Sequence, residues 1–161
     1  MKPIYKTVGL VGTGAMGRGI AQIAAQAGST VKLFDAQSGA ADKARDALAA
    51  QWDKLVDKGR LDGALAAAHK ARLLCADTLD DLADCDLVIE AVVERLDVKK
   101  SLFLSLESVV SGQTILVSNT SSLSITAIAA GLQHPGRFAG YHFFNPVPLM
   151  KVVEVIAGLK T

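Results

Sequence analysis

The chain has 161 residues, half of them hydrophobic and a fifth charged, which is enough for one well-packed domain over residues 1–161 and too little for two ordinary ones. Its 17 Lys and Arg residues nearly balance its 16 Asp and Glu residues, so the overall charge does not favour nucleic acid or an anionic membrane as a partner. The sequence has no secretory signal and no apolar run of about eighteen residues, which excludes a membrane-spanning helix and indicates a soluble protein.

The start of the chain predicts a strand, a tight turn, a helix and a second strand. Residues 6–11 form a short apolar run before a glycine-rich loop, and residues 16–27 are rich in helix-forming side chains. Gly28 is a suitable helix end, and residues 30–34 form a second apolar run that stops at Asp35. Because βαβ crossovers are right-handed, the two strands are expected to be parallel and adjacent.

A long helical insertion follows the second predicted strand. Ser38 can cap a helix that runs to about Lys58, where Gly59 ends it. A shorter helix is predicted over residues 62–70. This is an unusually long helical segment for a single crossover.

Short apolar segments and helices continue to alternate through the rest of the chain. Further strands are predicted at residues 72–75, 86–90, 114–118, 137–141 and 151–156, with a helix at about 96–110. The connection at residues 143–150 contains two prolines and cannot be a helix. The pattern predicts an α/β fold with a doubly wound, mostly parallel sheet.

The two cysteines give no sign of a metal or redox site. Cys75 and Cys85 are ten positions apart and lack the C-x-x-C spacing of zinc and redox motifs. We expect reduced, structural thiols in a cytoplasmic protein, and no metal site.

The glycine-rich loop carries the pattern of a dinucleotide cradle. Gly12, Gly14 and Gly17 form G-x-G-x-x-G between the first predicted strand and its helix. At these positions a glycine makes the turn, lets a pyrophosphate approach the backbone, and allows close helix packing. The N–H groups at the helix start attract phosphate.

Asp35 completes this cofactor pattern. It lies eighteen positions after Gly17, at the end of the second predicted strand, where a carboxylate can bind the ribose hydroxyls of the adenosine. It would repel a 2′-phosphate, so the sequence favours NAD over NADP. The alternative is that the glycines only form a turn and Asp35 is a solvated strand end.

A second polar group follows the later strands. His142 comes after a predicted strand, at the edge of the sheet where ligands bind, and can exchange a proton near neutral pH. Glu154 lies among apolar residues of the next strand, where a carboxylate costs free energy unless a partner compensates. If His142 is that partner, the two are a base and the group that orients it. The spacing equally allows a hydrogen-bonded core histidine and an exposed edge glutamate.

Five segments together resemble the 3-hydroxyacyl-CoA dehydrogenase family over essentially the whole chain. They are GTGAMG at 12–17, VIEA at 88–91, SNTSS at 118–122, HFFNPVP at 142–148 and KVVEV at 151–155. Many dehydrogenases share the first segment, whereas the last two are specific to this family. The resemblance implies a Rossmann domain that binds NAD, and the reversible oxidation of a 3-hydroxyacyl-CoA to the 3-oxoacyl-CoA in fatty-acid or aromatic-acid catabolism.

The resemblance also implies roles for individual residues. His142 and Glu154 form the catalytic pair, and Ser121 contacts both the substrate and the nicotinamide. The CoA moiety is bound by Ser121, Lys58 and Gln51. The implied NAD contacts are Gly12, Thr13, Gly14, Ala15, Met16, Gly17, Asp35, Glu94, Lys99, Ser121 and Asn145.

Each of these roles has a plainer alternative. By residue type alone, Ser121 is equally a loop hydroxyl and Asn145 a turn residue before a proline. Glu94, Lys99 and Lys58 are equally solvated residues of helices.

The chain departs from the family in its length. Family members continue into an α-helical domain that closes over the acyl chain and usually carries the dimer interface, whereas this chain stops at Thr161. The resemblance therefore implies that the helical domain is absent here, that the full-length enzyme is a homodimer, and that this chain alone is weakly active. The likeness is closest to bacterial 3-hydroxybutyryl-CoA and 3-hydroxyadipyl-CoA dehydrogenases.

Two other functions stay open. A non-catalytic NAD-binding Rossmann module needs the glycine loop and Asp35 but not His142 or Glu154. A β-hydroxyacid dehydrogenase with a non-CoA substrate commonly relies on a catalytic lysine, and the long insertion and the HFFN segment argue against it.

Overall fold

The computed structural model describes residues 3–161, which form one seven-stranded sheet and five α-helices. The strands are β1 (Thr7–Val11), β2 (Thr30–Phe34), β3 (Leu73–Cys75), β4 (Leu87–Glu90), β5 (Ile115–Ser118), β6 (Phe138–Phe143) and β7 (Val153–Ala157). The helices are α1 (Ala15–Ala27), α2 (Ala40–Asp57), α3 (Gly63–Ala71), α4 (Leu96–Val109) and α5 (Ile125–Ala129). Every predicted strand is present, and the bounds differ from the predicted ones by a few residues.

The order of the strands creates a crevice at the centre of the sheet. The order is β3-β2-β1-β4-β5-β6-β7, with β1 to β6 parallel and β7 antiparallel to β6. The chain runs from β1 to β2 and β3 on one side of β1 and then crosses from β3 to β4 on the other side, so the direction of strand addition reverses at β1. Ligands of doubly wound sheets bind at this switch point. The predicted Rossmann-type fold is confirmed.

The sheet separates two hydrophobic clusters. Successive strand residues point to opposite faces, so Leu10 packs with Ile20 and Trp52 on one side while Val11 packs with Phe103 on the other. The helical insertion, α2 and α3, belongs to the first side and α4 with α5 to the second. Both faces of the sheet are covered, as expected for parallel strands that are continuously apolar.

One of the two end signals predicted for α2 is confirmed, and the helix predicted over residues 62–70 is present as α3. Asp62 caps α3 by accepting a hydrogen bond from the N–H group of Leu65 at 3.0 Å. Gly59, with φ of 65°, ends α2. The prediction for Ser38 is wrong, because α2 begins after Gly39, whose φ of 74° lies in the left-handed region that favours glycine, and no side chain caps this end.

Both cysteines are free thiols, as predicted. Cys85 is buried before β4, and burial raises the pKa of its thiol to about 12. A thiol in such surroundings stays protonated and is chemically inert. No helix in the described part of the chain combines the length and apolarity needed to cross a membrane.

His69 is a core residue of the insertion, in the last turn of α3. Its side chain is 8% exposed and its ring lies 5.4 Å from that of Trp52. Burial and the charge of Arg72 lower the pKa of His69 below its ordinary value of 6.5. The imidazole is therefore neutral in the folded protein near neutral pH.

Acidification is expected to destabilise the fold through His69. As the pH falls below 6.5, the unfolded chain binds the proton before the folded one does, so the free energy of unfolding decreases until the lower pKa of the folded state is passed. Urea unfolding between about pH 5 and 8 measures this. His69→Gln should lose part of the slope, and identical slopes for the variant and the wild type would contradict the assignment.

Candidate active site

The loop between β1 and α1 and the start of α1 require glycine at two of the three glycine positions of the motif. Gly12 has φ of 94°, and a Cβ atom there would lie 2.6 Å from the carbonyl oxygen of Ala91. A Cβ atom at Gly17 would lie 1.8 Å from the carbonyl oxygen of Gly12. At Gly14, a Cβ atom would meet no described atom within 4 Å. Gly12 and Gly17 are thus required by the fold, while Gly14 faces open space that a ligand can enter.

The start of α1 presents an uncapped, positive helix end at this space. Gly14 is the residue before the helix, no side chain caps it, and the first turn contains no acidic residue. The first N–H groups of a helix lack intrahelical acceptors and carry partial positive charge. Thr13, Ala15 and Met16 form the same turn, so the residues present fit a dinucleotide pyrophosphate.

Asp35 is fixed beside this loop as an ionised acceptor. It accepts hydrogen bonds from the backbone N–H of Thr13 at 2.7 Å, from the Thr13 hydroxyl at 2.8 Å and from the N–H of Gln37 at 3.0 Å. Burial acts to raise its pKa, but these hydrogen bonds outweigh burial and lower it. Asp35 also borders a cleft of about 240 Å³ that extends along the end of β2.

A larger cleft of about 370 Å³ opens at the carboxyl ends of β4, β5 and β6. It brings together six of the residues that the family resemblance named. The lining residues are Met16, Ala91, Val92, Glu94, Lys99, Asn119, Ser121, His142, Phe143, Phe144 and Asn145. The cleft begins at α1, so a ligand on the glycine loop and the polar groups of the later strands share one space.

His142 and Glu154 form a hydrogen-bonded pair at this cleft. They lie opposite each other on antiparallel β6 and β7, and His142 Nδ1 is 2.8 Å from Glu154 Oε2. Since a carboxylate only accepts hydrogen bonds, Nδ1 carries the proton and Nε2 is left for another partner. The ring of Phe144 packs on the imidazole with centroids 4.6 Å apart.

The expectation that burial of Glu154 requires this pair is wrong. Glu154 was expected to be a carboxylate in an apolar, buried strand, but its side chain is 56% exposed and the whole of β7 is an exposed strand. Strand register, and not the cost of burial, therefore sets the contact. Residues directly opposite on paired strands have close Cβ atoms.

Glu94 organises the loop that carries Ser121. Its Oε1 atom accepts hydrogen bonds from the N–H of Ser121 at 3.1 Å, from the hydroxyl of Ser122 at 3.3 Å and from the Thr120 hydroxyl. Burial acts to raise the pKa of Glu94, but these hydrogen bonds and the charge of Lys99 lower it. Glu94 is not the freely solvated helix residue that its type allowed.

Lys99 lies beneath the cleft, not on its open surface. It is 1% exposed, and its Nζ atom contacts Glu90 Oε1 at 2.5 Å and Glu94 Oε2 at 3.2 Å. The alternative of a solvated lysine is overturned. Sequence reasoning did not single out Glu90, which is fully buried at the end of β4, although it lies within the VIEA segment.

Two further contacts that the sequence did not suggest join the walls of the cleft. The N–H of Phe143 donates to Asn119 Oδ1 at 2.9 Å, which ties the Ser121 loop to the end of β6. Gly19 of α1 lies against Val147, so closely that a Cβ atom would come within 2.8 Å. This packing holds the turn with Asn145 next to the glycine-loop helix.

Of the three predicted CoA contacts, Ser121 lines the cleft and the other two do not. Gln51 and Lys58 are exposed residues on and at the end of α2, and neither lines the space around His142. Their role stays a prediction. Among residues 3–161, no group of three or more His, Cys, Asp and Glu side chains could hold a metal ion.

Several known proteins have sequences similar to that of this chain. The 3-hydroxyadipyl-CoA dehydrogenase of Escherichia coli K12 is 47% identical over 156 residues, which are 97% of this chain and 33% of that protein. The 3-hydroxybutyryl-CoA dehydrogenase of Bradyrhizobium diazoefficiens is 42% identical over 161 residues, 100% of this chain and 55% of that protein. The chain therefore spans about a third to about half of the length of the curated relatives it matches.

A solved structure agrees with the fold throughout. The crystal structure of 3-hydroxybutyryl-CoA dehydrogenase from E. coli K12 superposes with a TM-score of 0.95 at 46% identity, covering 99% of this chain and 34% of that one. The sequence profile described as "3-hydroxyacyl-CoA dehydrogenase, NAD binding domain" matches residues 7–161. The chain thus belongs to the 3-hydroxyacyl-CoA dehydrogenase family, in which it corresponds to the NAD-binding domain.

Proposed function

We propose that this chain binds NAD and supplies the proton-transfer pair for hydride exchange between NAD and the 3-hydroxy group of a 3-hydroxyacyl-CoA. The observation that carries the proposal is the hydrogen bond between His142 Nδ1 and Glu154 Oε2 at the cleft that begins at the glycine loop. A module that only sensed NAD would have no use for this pair. The family membership of the chain supports the same reaction.

The proton chemistry follows from the geometry of the pair. His142 Nε2 takes the proton of the substrate 3-hydroxyl group, while the Nδ1–H donates to Glu154. Glu154 holds the imidazole in the tautomer that leaves Nε2 free, and its charge stabilises the imidazolium that forms. When bound, NAD supplies the acceptor for the hydride that leaves C3, the substrate carbon that bears this hydroxyl group.

Other residues position the reactants. We assign the pyrophosphate to the glycine loop and the start of α1, and the adenosine ribose to Asp35. Ser121 and Asn145 line the same cleft as His142, so both can orient the substrate or the nicotinamide. Lys58 would meet a phosphate of CoA with its exposed ammonium group.

The cleft argues against a lysine-dependent hydroxyacid dehydrogenase. The lysine among its lining residues is Lys99, which is already bound by two carboxylates under the surface. A lysine so placed has no free lone pair to act as a base. His142 is the group with an unused nitrogen at the cleft.

Binding and turnover assays test the proposed function. Calorimetry on the chain should give NAD binding at least about tenfold tighter than NADP binding, because Asp35 repels a 2′-phosphate. The rate of NADH formation should be low with the chain alone and higher with any longer product of its gene. It should also be higher with CoA thioesters than with free 3-hydroxy acids. NAD binding without turnover of any thioester by the longer product would favour the sensing module, and absence of NAD binding would refute the proposal.

Family membership also motivates proposals on the whole protein. We infer a cytoplasmic enzyme that assembles as a homodimer through its helical part and acts on acyl-CoA. The two relatives described above are named for 3-hydroxyadipyl-CoA and 3-hydroxybutyryl-CoA, and the same turnover assay separates these acyl types.

A further inference from the structure

A buried ion network lies under the cleft, between the ends of β4 and β5 and the first turns of α4. Its centre is Lys99, whose ammonium group contacts Glu90 at 2.5 Å and Glu94 at 3.2 Å. Glu90 and Lys99 are 0% and 1% exposed. We refer to these three residues as the Glu90–Lys99–Glu94 network.

Stability does not explain why two charges are buried here. Removing an ion from water costs several kcal/mol, and the attraction inside the protein often only offsets this cost. Apolar side chains of similar size commonly serve the fold as well or better. The network therefore calls for a role that an apolar pair could not fill.

The hydrogen bonds of the network lead towards the Ser121 loop by two routes. In the first, Lys99 holds Glu94 Oε2, which leaves Glu94 Oε1 to accept from the N–H of Ser121. In the second, Glu90 Oε2 accepts from the Ser118 hydroxyl at 2.6 Å, and Ser118 Oγ accepts from the N–H of Thr120 at 3.2 Å. Both routes begin at Glu90, because Glu90 contacts Lys99 through Oε1 and Ser118 through Oε2.

The remaining contact of Glu90 fixes the opposite wall. Its Oε1 atom accepts from the N–H of Val92 at 2.6 Å, and Val92 lines the cleft. One carboxylate thus joins the segment after β4, the start of α4 and the loop after β5. All three elements contribute residues to the lining of the cleft.

We propose that Glu90 is a positioning residue of the site: through Lys99 and Ser118 it holds Glu94 and the Ser121 loop in the arrangement that receives the cofactor. Lys99 is then also a positioning residue, which acts through Glu94 in addition to lining the cleft as a predicted NAD contact. The inference rests on the proposed function in that it takes NAD as the ligand of the cleft.

The test removes both buried charges and keeps the shape. In the double variant Glu90→Gln/Lys99→Met, the amide oxygen can still accept from the N–H of Val92 and the amide NH2 group can donate to Ser118 Oγ, while the hold on Glu94 is lost. We expect the 161-residue chain to unfold at a similar urea concentration and to bind NAD about tenfold more weakly. Lys100→Met, one position along α4, is the matched control and should leave binding unchanged.

A merely structural role is separated from positioning by a second measurement. If the network acts through Glu94, the triple variant that adds Glu94→Gln should bind NAD no more weakly than the double variant or the single Glu94→Gln variant does. The backbone amide resonance of Ser121 should shift in the double variant and in Glu94→Gln alike. Fully additive losses of binding, or an unmoved Ser121 resonance, would overturn the inference.

The outcomes for the two proposals are distinct. If the wild type binds NAD and the double variant binds it with the same affinity, the positioning role is overturned and the proposed function stays intact. Failure of the wild type to bind NAD refutes the proposed function, while the Ser121 resonance still reports whether the network sets the loop. If the double variant does not fold, Glu90→Gln alone must reproduce the Ser121 shift for the inference to stand.

Discussion

Replacing Gly14 with alanine is expected to weaken NAD binding by about a hundredfold, or about 2.7 kcal/mol, with little change in stability. Gly14 has φ of −63° and ψ of −167°, an extended conformation that alanine adopts without strain. An alanine Cβ would meet no described atom within 4 Å, so nothing in the folded chain resists it. The methyl group would instead occupy the space through which a pyrophosphate approaches the loop.

Two measurements and one matched variant make this prediction specific. Calorimetry gives the affinity for NAD, and urea unfolding should give a free energy within about 0.5 kcal/mol of the wild type. Gly17→Ala is the comparison, because its Cβ would lie 1.8 Å from the Gly12 carbonyl oxygen and should cost stability and binding together. Wild-type affinity in Gly14→Ala would mean that the loop is not a dinucleotide cradle.

The architecture was predictable because its signals are local. Each strand is a short apolar run next to a turn residue, and the βαβ handedness rule then arranges the strands. Gly59 and Asp62 end and begin their helices as their types suggested. The start of α2 was not predictable, because Ser38 and Gly39 are both acceptable there and only the path of the chain selects the left-handed glycine.

The environment of an element was harder to predict than its existence. The apolar residues of β7 suggested burial, yet β7 is an exposed strand at the end of the sheet order. His69 shows the opposite case, since it is a polar residue near a helix end and yet lies in the core, packed on Trp52. Apolar type indicates a strand, but tertiary packing decides which faces are covered.

The site was predictable where a motif joins neighbours in sequence and unpredictable where contacts are distant. The loop from Gly12 to Gly17 could be derived from spacing. The contact of His142 with Glu154 depends on strand register, so residue types alone left it open and the family resemblance was needed to favour it. No signal in the sequence separated Glu90, buried under the cleft, from any other strand glutamate.

Replacing His142 with alanine is expected to lower turnover of a 3-hydroxyacyl-CoA by about 10²- to 10⁴-fold while NAD still binds. The variant keeps the glycine loop and Asp35 but removes the nitrogen that accepts the substrate proton. Glu154→Gln should lose less, because an amide oxygen can still accept from Nδ1–H and keep the tautomer, although it no longer stabilises the imidazolium. The order of the two effects therefore distinguishes the base from the group that orients it.

Initial rates of NADH formation and NAD calorimetry, made on the same preparations, measure these losses. His134→Ala is the control, because His134 lies outside the cleft, before Pro135, and should leave both quantities unchanged. Equal losses in His142→Ala and Glu154→Gln would indicate that the two residues act only as a unit. Full turnover in His142→Ala would exclude this imidazole as the base, since the cleft lysine, Lys99, is held by two carboxylates and cannot take its place.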